Sequence, residues 1–109
     1  MERKKILLIE DEVKLARFVE LELKYEGYDV TTCHDGRVGM EMITNQEFDM
    51  ILLDLMLPGL TGIEICRRVR KFSQVPIIML TAKDEVMDKV AGLDSYSRVV
   101  ELLLWYYDG

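Results

Sequence analysis

Short unbroken apolar runs alternate along this chain with segments in which apolar residues recur every three or four positions. The apolar runs occupy residues 6–9, 50–53 and 77–80, and a more polar strand-like segment occupies residues 28–33. The segments with helical spacing occupy residues 13–26, 38–43, 63–71 and 84–93. Unbroken runs of this length are typical of strands that are buried on both faces of a parallel sheet. The alternation of strand and helix therefore predicts right-handed crossovers and a doubly wound α/β fold with a parallel sheet.

Turn-forming residues mark several boundaries between these elements. Gly27 ends the first helical segment, and Asp35 and Gly36 form a turn before the second. The second strand carries more threonine and aspartate than the others, which predicts a place at an edge of the sheet. A chain of 109 residues without a repeat or a linker is expected to form one domain.

The third helical segment and the cysteines are expected to supply the core. Ile63, Cys66 and Val69 lie on one face of that segment, and its cations lie elsewhere. Cys33 and Cys66 are far apart and form no C-x-x-C motif, so each is interpreted as a small buried hydrophobe. His34, the only histidine, is predicted to lie in a surface loop.

Three of the predicted strands end on polar residues with a chemical role. Glu10 and Asp11 follow the first strand, Asp54 follows the third, and Thr81 follows the fourth. The carboxyl ends of parallel strands lie along one edge of the sheet, where open α/β folds bind ligands, so these side chains are expected to converge. Clustered carboxylates repel each other unless a cation lies among them. The pattern predicts a site for a hard metal ion beside one reactive aspartate.

Charge and hydropathy exclude several classes of partner. The formal net charge is −6, whereas a nucleic-acid-binding surface is basic, so this segment is not expected to bind nucleic acid directly. No apolar run approaches the roughly 20 residues that span a bilayer. Residues 1–5 lead into a strand without a signal-peptide pattern. These features predict a cytoplasmic protein that does not contact a membrane.

The motifs at the strand ends resemble those of a known family, the receiver domain of bacterial two-component response regulators. The matching segments are ILLIEDE at residues 6–12, ILLDLMLPG at residues 51–59 with Thr61 and Gly62, and PIIMLTA at residues 76–82. Their order and spacing agree with the family over residues 1–94. The segment after Asp54 looks most like the class with a winged-helix DNA-binding output. The resemblance implies a flavodoxin-like fold with the strand order 2-1-3-4.

The resemblance also implies a role for each residue of the site. Asp54 would be the phosphoacceptor, a sensor histidine kinase the donor, and Thr81 a hydrogen-bonding partner of the phosphoryl group. The implied ligands of Mg²⁺ are Glu10, Asp11, Asp54 and the backbone carbonyl of Met56. An aspartate carboxylate is ordinarily ionised near neutral pH, so the reaction needs charge neutralisation rather than a general base. The family function is that of a signalling switch, and we do not expect an enzyme in the usual sense.

Each of these assignments has an alternative. Asp54 also fits a turn at a strand end, Glu10 and Asp11 fit N-caps of the first helix, and Thr81 fits an ordinary strand terminus. A phosphohydrolase with an aspartyl intermediate is another reading of the same aspartate. Many such enzymes place a second acid two residues after the nucleophile, where this chain has Met56, which counts against that reading.

From Ser95 onward the chain departs from the family. The family continues with a fifth strand and a Lys-Pro pair, whereas here no lysine follows Lys89 and no proline follows Pro76. A charge-assisted hydrogen bond of that kind is worth about 1.5–3 kcal/mol, so its loss is expected to blunt switching without stopping phosphorylation. Lys83 leaves from a different strand and is not assigned as a substitute.

The apolar tail at residues 95–109 fits three alternative structures. In each of them the fifth strand of the family is absent or replaced, and the C-terminal helix of the family is altered. The tail fits a helix capped by Ser97, a strand at residues 102–107, or a continuation of the fourth helix. The continuous helix is possible because apolar residues recur at alternating intervals of four and three positions over residues 84–107. We favour helix over strand.

A helix that is apolar on nearly every side must be enclosed by another surface. We therefore expect a homodimer held by residues 96–107, and self-burial against the sheet is the alternative. We divide the chain into a receiver-like domain, residues 1–94, and the tail, residues 95–109, with no output domain. The abrupt change is interpreted as truncation, a reading-frame change or engineering. The alternative function is a receiver scaffold that acts mainly as a homo-oligomerising module.

Overall fold

Strands and helices alternate along the residues that the computed structural model describes, which are 3–54 and 57–80, with the backbone alone for Leu80. In chain order the elements are β1 (Lys5–Ile9), α1 (Val13–Tyr25), β2 (Asp29–Cys33), α2 (Gly36–Asn45), β3 (Met50–Asp54), α3 (Gly62–Val69) and β4 (Ile77–Leu80). The predictions for Met56, Thr81, the fourth helix and the tail lie outside the described residues. Among the helices that are described, none has the length and apolar character needed to cross a membrane.

Strands β1 and β3 form the centre of a parallel sheet, whose order within the described residues is β2-β1-β3-β4. Each strand pair in it is parallel. Ile9 of β1 pairs with Leu53 of β3, so the next residues, Glu10 and Asp54, occupy adjacent positions at the carboxyl edge. The place of β2 at an edge confirms the prediction from its polar composition.

Alternate residues of β1 supply the core on the two faces of the sheet. Ile6 and Leu8 belong to one apolar cluster with residues of α1. Leu7 and Ile9 belong to a second cluster with residues of α2 and α3. All four side chains are buried. Burial on both faces explains why the run is apolar without alternation, and it confirms the doubly wound arrangement in the described part of the chain.

The helix α2 begins at Gly36, two residues earlier than the helical spacing predicted. Asp35 is its N-cap, and its Oδ1 accepts hydrogen bonds from the N–H groups of Arg37 at 2.8 Å and Val38 at 3.1 Å. The pair Asp35 and Gly36 is therefore the start of the helix rather than a separate turn. The buried positions Gly36 and Gly39 carry no side chain, so apolar periodicity could not count them.

The helix α3 ends at Val69 rather than at residue 71, and its buried face only partly coincides with the predicted apolar face. Ile65 and Val69 are buried one turn apart, Cys66 is half-buried, and Ile63 is 54% exposed. The prediction that Ile63, Cys66 and Val69 share the core face was wrong for Ile63, because the i, i+4 pair determines the face. Both cysteines are free thiols, and the burial of Cys33 fits its prediction as a small hydrophobe.

Candidate metal centre

Three carboxylates meet at the carboxyl edge of the sheet, as the strand ends predicted. Glu10 and Asp11 follow β1, and Asp54 is the last residue of β3. One oxygen from each carboxylate lies within 4.8 Å of an oxygen from each of the other two. Glu10 and Asp54 are buried, whereas Asp11 is half-buried and exposes part of the cluster to solvent. The structure thus brings together three of the predicted site residues.

Hydrogen bonds to neighbouring backbone groups hold Glu10 in place. Its N–H donates to the carbonyl of Cys33, at the end of β2, at 3.0 Å. Its Oε2 accepts a hydrogen bond from the N–H of Glu12 at 2.9 Å. Glu12 occupies the N-cap position of α1 without a side-chain capping bond, so neither Glu10 nor Asp11 is the cap residue. The Glu10 carboxylate nevertheless bonds to the backbone at the helix start while it belongs to the carboxylate cluster.

His34 contacts the same residue, although no sequence pattern indicated this contact. Its Nδ1 lies 2.7 Å from the carbonyl oxygen of Glu10, and it donates there when Nδ1 carries the proton. The residue is exposed, as predicted for a surface loop. The register between β1 and β2 places Ile9 opposite Cys33, which brings the following residues together. Only knowledge of the strand register could have revealed this contact.

Burial raises the pKa of the Glu10 carboxyl from its ordinary value of 4.5 to about 8. Desolvation is the largest cause, and the negative charge of Asp54 and hydrogen bonds with Asp54 and Asp11 raise the pKa further. The hydrogen bond from the Glu12 backbone N–H lowers the pKa, because it stabilises the carboxylate. The causes that raise the pKa of Glu10 outweigh the hydrogen bond that lowers it. The cluster therefore favours an added positive charge, either a proton or a metal ion.

The chemistry of the donor set fits Mg²⁺. Each of the three side chains offers carboxylate oxygens, which hard divalent cations prefer as ligands. The burial and mutual proximity of these carboxylates, which raise the pKa of Glu10, also favour a bound cation. Two residues predicted to complete the site, Met56 and Thr81, lie outside the described part of the chain.

The loop that leads from β3 to α3 lies against the start of α2. The N–H of Gly36 donates to the carbonyl of Pro58 at 3.1 Å, and the N–H of Leu60 donates to the same carbonyl at 3.0 Å. Gly59 has a φ of +82° and lies beside the carboxylate of Asp35. Nothing in the sequence predicted this contact of the loop with α2.

Comparisons with known proteins agree on one family. The family model described as the response regulator receiver domain matches residues 6–98. The response regulator ArlR of Staphylococcus saprophyticus is 56% identical over 90 residues, which are 83% of this chain and 41% of that protein. The uncharacterized transcriptional regulatory protein YkoG of Bacillus subtilis is 53% identical over 95 residues, which are 86% of this chain and 42% of that protein.

The solved structures show the same fold. The chemotaxis response regulator CheY4 of Vibrio cholerae matches with a TM-score of 0.76 at 25% identity, over 96% of this chain and 99% of that one. This likeness confirms the predicted flavodoxin-like fold. The chain spans about two fifths of the length of the curated relatives it matches.

Proposed function

The chain belongs to the response regulator receiver domain family, and from this premise we propose that Asp54 accepts a phosphoryl group from a sensor histidine kinase. Membership of the family places the chain in two-component signal transduction. The observation that supports Asp54 as the acceptor is the convergence of Glu10, Asp11 and Asp54 within 4.8 Å at the carboxyl edge of the sheet. Asp54 lies at the end of a central strand, next to two further acidic side chains.

The proposed step transfers the phosphoryl group from a histidine nitrogen of the kinase to an oxygen of Asp54. The carboxylate oxygen attacks phosphorus as the P–N bond breaks, and the electron pair of that bond leaves with the histidine nitrogen. The product is an acyl phosphate on Asp54. The attacking carboxylate has no proton to lose, so no general base is required. The step requires neutralisation of the charge on the phosphoryl oxygens.

The proposed ligands of Mg²⁺ are Glu10, Asp11, Asp54 and the backbone carbonyl of Met56. Mg²⁺ bound there would neutralise charge on the carboxylates and on the phosphoryl oxygens. Glu10 contributes a buried carboxyl group, which would bind Mg²⁺ as the carboxylate and is oriented by the hydrogen bond from the Glu12 backbone N–H. Thr81 is the proposed donor of a hydrogen bond to a phosphoryl oxygen.

The curated relatives are longer than this chain, and they support a proposal about what such a receiver domain does within a longer protein. YkoG is called a transcriptional regulatory protein, and this chain matches 42% of it. We propose that a receiver domain at residues 1–94 acts in the cytoplasm and, in a protein of that length, controls a winged-helix DNA-binding output. The receiver segment is acidic, and we do not propose that it contacts nucleic acid or a membrane directly.

The tail at residues 95–109 supports two proposals from sequence alone. The absence of a lysine after Lys89 supports a blunted conformational response to phosphorylation. The apolar residues within 96–107 support a homodimer, because burial of a few such side chains would contribute about 6–12 kcal/mol before the costs of association. If assembly dominates, the segment acts mainly as a homo-oligomerising module.

Intact-mass spectrometry after incubation with Mg²⁺ and acetyl phosphate tests the role of Asp54. Wild type should gain one phosphoryl group, and Asp54→Asn should gain none. Asp29→Asn is the matched control, because Asp29 is an exposed carboxylate at the opposite, amino end of β2, and it should react like wild type. Equal adducts on wild type and Asp54→Asn would exclude Asp54 as the acceptor. A wild type that reacts neither with acetyl phosphate nor with a histidine kinase would overturn the proposed function.

A further inference from the structure

We propose that His34, the residue after β2, is a positioning residue for the carboxylates of Glu10 and Asp11. The inference rests on the proposed function, because both carboxylates are proposed ligands of Mg²⁺. Within the described residues, the cluster of possible metal ligands comprises Glu10, Asp11 and Asp54, so His34 is not assigned as a ligand. It acts instead on the peptide group that joins Glu10 to Asp11.

The geometry of this contact identifies the donor. Nδ1 of His34 lies 2.7 Å from the carbonyl oxygen of Glu10. A carbonyl oxygen can only accept, so Nδ1 must carry a proton for a hydrogen bond to form at this distance. When the ring carries a single proton, Nε2 is then unprotonated. His34 is the only histidine in the chain, so the signals of its ring can be observed without overlap from another histidine.

The end of β2 holds Glu10 through both of its backbone polar groups. The N–H of Glu10 donates to the carbonyl of Cys33 at 3.0 Å. The next residue, His34, donates from its side chain to the carbonyl of Glu10. Ile9 pairs with Cys33 at the end of the ladder between β1 and β2. The two hydrogen bonds therefore extend the attachment of β1 to β2 by one residue, to the point where the carboxylates begin.

The carbonyl that His34 contacts belongs to the peptide group between two of the three clustered carboxylates. The orientation of this planar group is set by ψ of Glu10 and φ of Asp11, the backbone angles that determine how the two side chains lie relative to each other. Because the bond to Cys33 already holds the N–H of Glu10, the direction of its carbonyl restricts ψ. The hydrogen bond from His34 therefore limits the relative positions of two proposed ligands.

The same short segment is held at its other end by α1. Residues 10–12 connect β1 to α1, and Glu12 is the N-cap residue of that helix. The N–H of Glu12 donates to Oε2 of Glu10 at 2.9 Å, which holds the side chain of the first ligand. That bond leaves the peptide group before Asp11 to be oriented by other contacts, of which the ring of His34 is one.

Loss of the hydrogen bond from His34 is expected to weaken Mg²⁺ binding by about 3–10-fold. Mg²⁺ requires near-octahedral ligand geometry, so it binds those molecules in which both carboxylates are correctly placed. Without the bond, a smaller fraction of the metal-free molecules has this arrangement, and the apparent affinity falls by the same factor. The net contribution of one hydrogen bond limits the size of that factor.

The test compares His34→Ala, which removes the donor, with His34→Asn, whose amide nitrogen occupies the place of Nδ1 in the side chain. Titration with Mg²⁺, followed by backbone amide chemical shifts, measures the dissociation constant without any phosphorylation. His34→Ala should weaken binding by the stated factor, and His34→Asn should restore most of the affinity. In the metal-free spectra of His34→Ala, the amide signals of Asp11 and Glu12 should shift. The ring of His34 is exposed, so neither substitution opens the core.

Thr44→Ala is the matched control for the loss of a hydrogen bond between a side chain and a carbonyl. Oγ1 of Thr44 donates to the carbonyl of Met40 at 2.9 Å within α2, and this residue is also exposed. Thr44 is not a member of the carboxylate cluster, so Thr44→Ala should bind Mg²⁺ with wild-type affinity. Equal weakening in Thr44→Ala and His34→Ala would overturn the inference, because the effect would then follow from lost stability.

Correlation spectra of the ¹⁵N-labelled imidazole test the contact in wild type, independently of any variant. Under conditions in which the ring carries one proton, that proton should be on Nδ1, and a proton on Nε2 would overturn the inference. Wild-type Mg²⁺ affinity in His34→Ala, or affinity that His34→Asn does not restore, would overturn it as well while the proposed function stands. A wild type that binds no Mg²⁺ would overturn the proposed metal site and the inference with it.

Discussion

Replacement of Glu10 by glutamine should remove most of the pH dependence of stability that the metal-free protein shows between pH 5 and pH 8. Glu10 is 1% exposed, and burial raises the pKa of its carboxyl from 4.5 to about 8. The unfolded chain loses this proton near the ordinary pKa, whereas the folded chain keeps it up to the raised pKa. The contribution of Glu10 to stability is therefore fully present below about pH 4.5 and is lost as the pH rises through about 8.

The size of the effect follows from the two pKa values. A difference of one bound proton changes the free energy of unfolding by about 1.4 kcal/mol for each pH unit. Because Glu10 is partly ionised in the unfolded chain near pH 5 and in the folded chain near pH 8, the loss of stability between these two pH values is about 3.5 kcal/mol. Such a loss is large beside the roughly 5–15 kcal/mol that stabilise an ordinary domain. Glutamine retains an oxygen that can accept from the N–H of Glu12 but carries no charge, so the loss should disappear.

Urea unfolding in the presence of EDTA, at intervals from pH 5 to pH 8, measures this difference. Glu20→Gln is the control, because a hydrogen bond from Lys24 lowers the pKa of Glu20 and keeps it ionised throughout the window, so this variant should retain the wild-type slope. Desolvation also raises the pKa of Glu22, but Glu22 is present in every variant and its contribution cancels. Mg²⁺ added at pH 8 should restore stability to wild type more than to Glu10→Gln. Equal slopes in wild type and Glu10→Gln would refute the reasoning.

Further predictions concern the metal, the helix cap and the tail. Mg²⁺ should raise the melting temperature of wild type more than that of Asp11→Asn, and identical shifts would mean that Asp11 is not a ligand. Asp35→Ala should lower the free energy of unfolding by about 1 kcal/mol through loss of the α2 cap, while Asp35→Ser should recover most of it in urea titrations. Unchanged stability in Asp35→Ala would contradict this account. Light scattering at micromolar concentration should give about twice the chain mass, and combined Leu103→Glu and Trp105→Glu should reduce it. A wild-type monomer would exclude the dimer.

The positions of the strands and of the carboxylates in the sequence could be predicted because both depend on local patterns, whereas the order of the strands was implied by the resemblance to the family. Ile6 and Leu7 face opposite sides of the sheet and both are buried, so the sequence carries an unbroken apolar run at β1. The first polar residue after such a run marks the sheet edge. Glu10 and Asp54 were placed at the edge in this way, and the pairing of β1 with β3 then brings them together.

The contacts that hold the site depend on distant residues and left no local pattern. Gly36 was interpreted as part of a turn because glycine commonly forms turns, whereas it begins α2 and lies against the backbone of Leu60 in another loop. His34 meets Glu10 only through the register of β1 with β2. Ile63 was assigned to the core by its spacing, but the i, i+4 pair of Ile65 and Val69 determines the buried face. In each case a nonlocal contact decided the outcome.

The burial of the carboxylates makes their protonation costly to change at this edge of the sheet. Carboxylates in water interact by about 1 kcal/mol or less at these distances, and salt screens them further. The raised pKa of Glu10 corresponds instead to a free energy on the order of 5 kcal/mol between its two protonation states. Desolvation is the largest cause of this shift, so most of that free energy reflects the removal of the Glu10 carboxyl group from water, and the charge of Asp54 adds to it. The loop after Asp54 is joined to α2 by the hydrogen bond from Gly36 to Pro58. This contact places the start of α2 against Pro58, although the carboxylate cluster itself includes no side chain of α2.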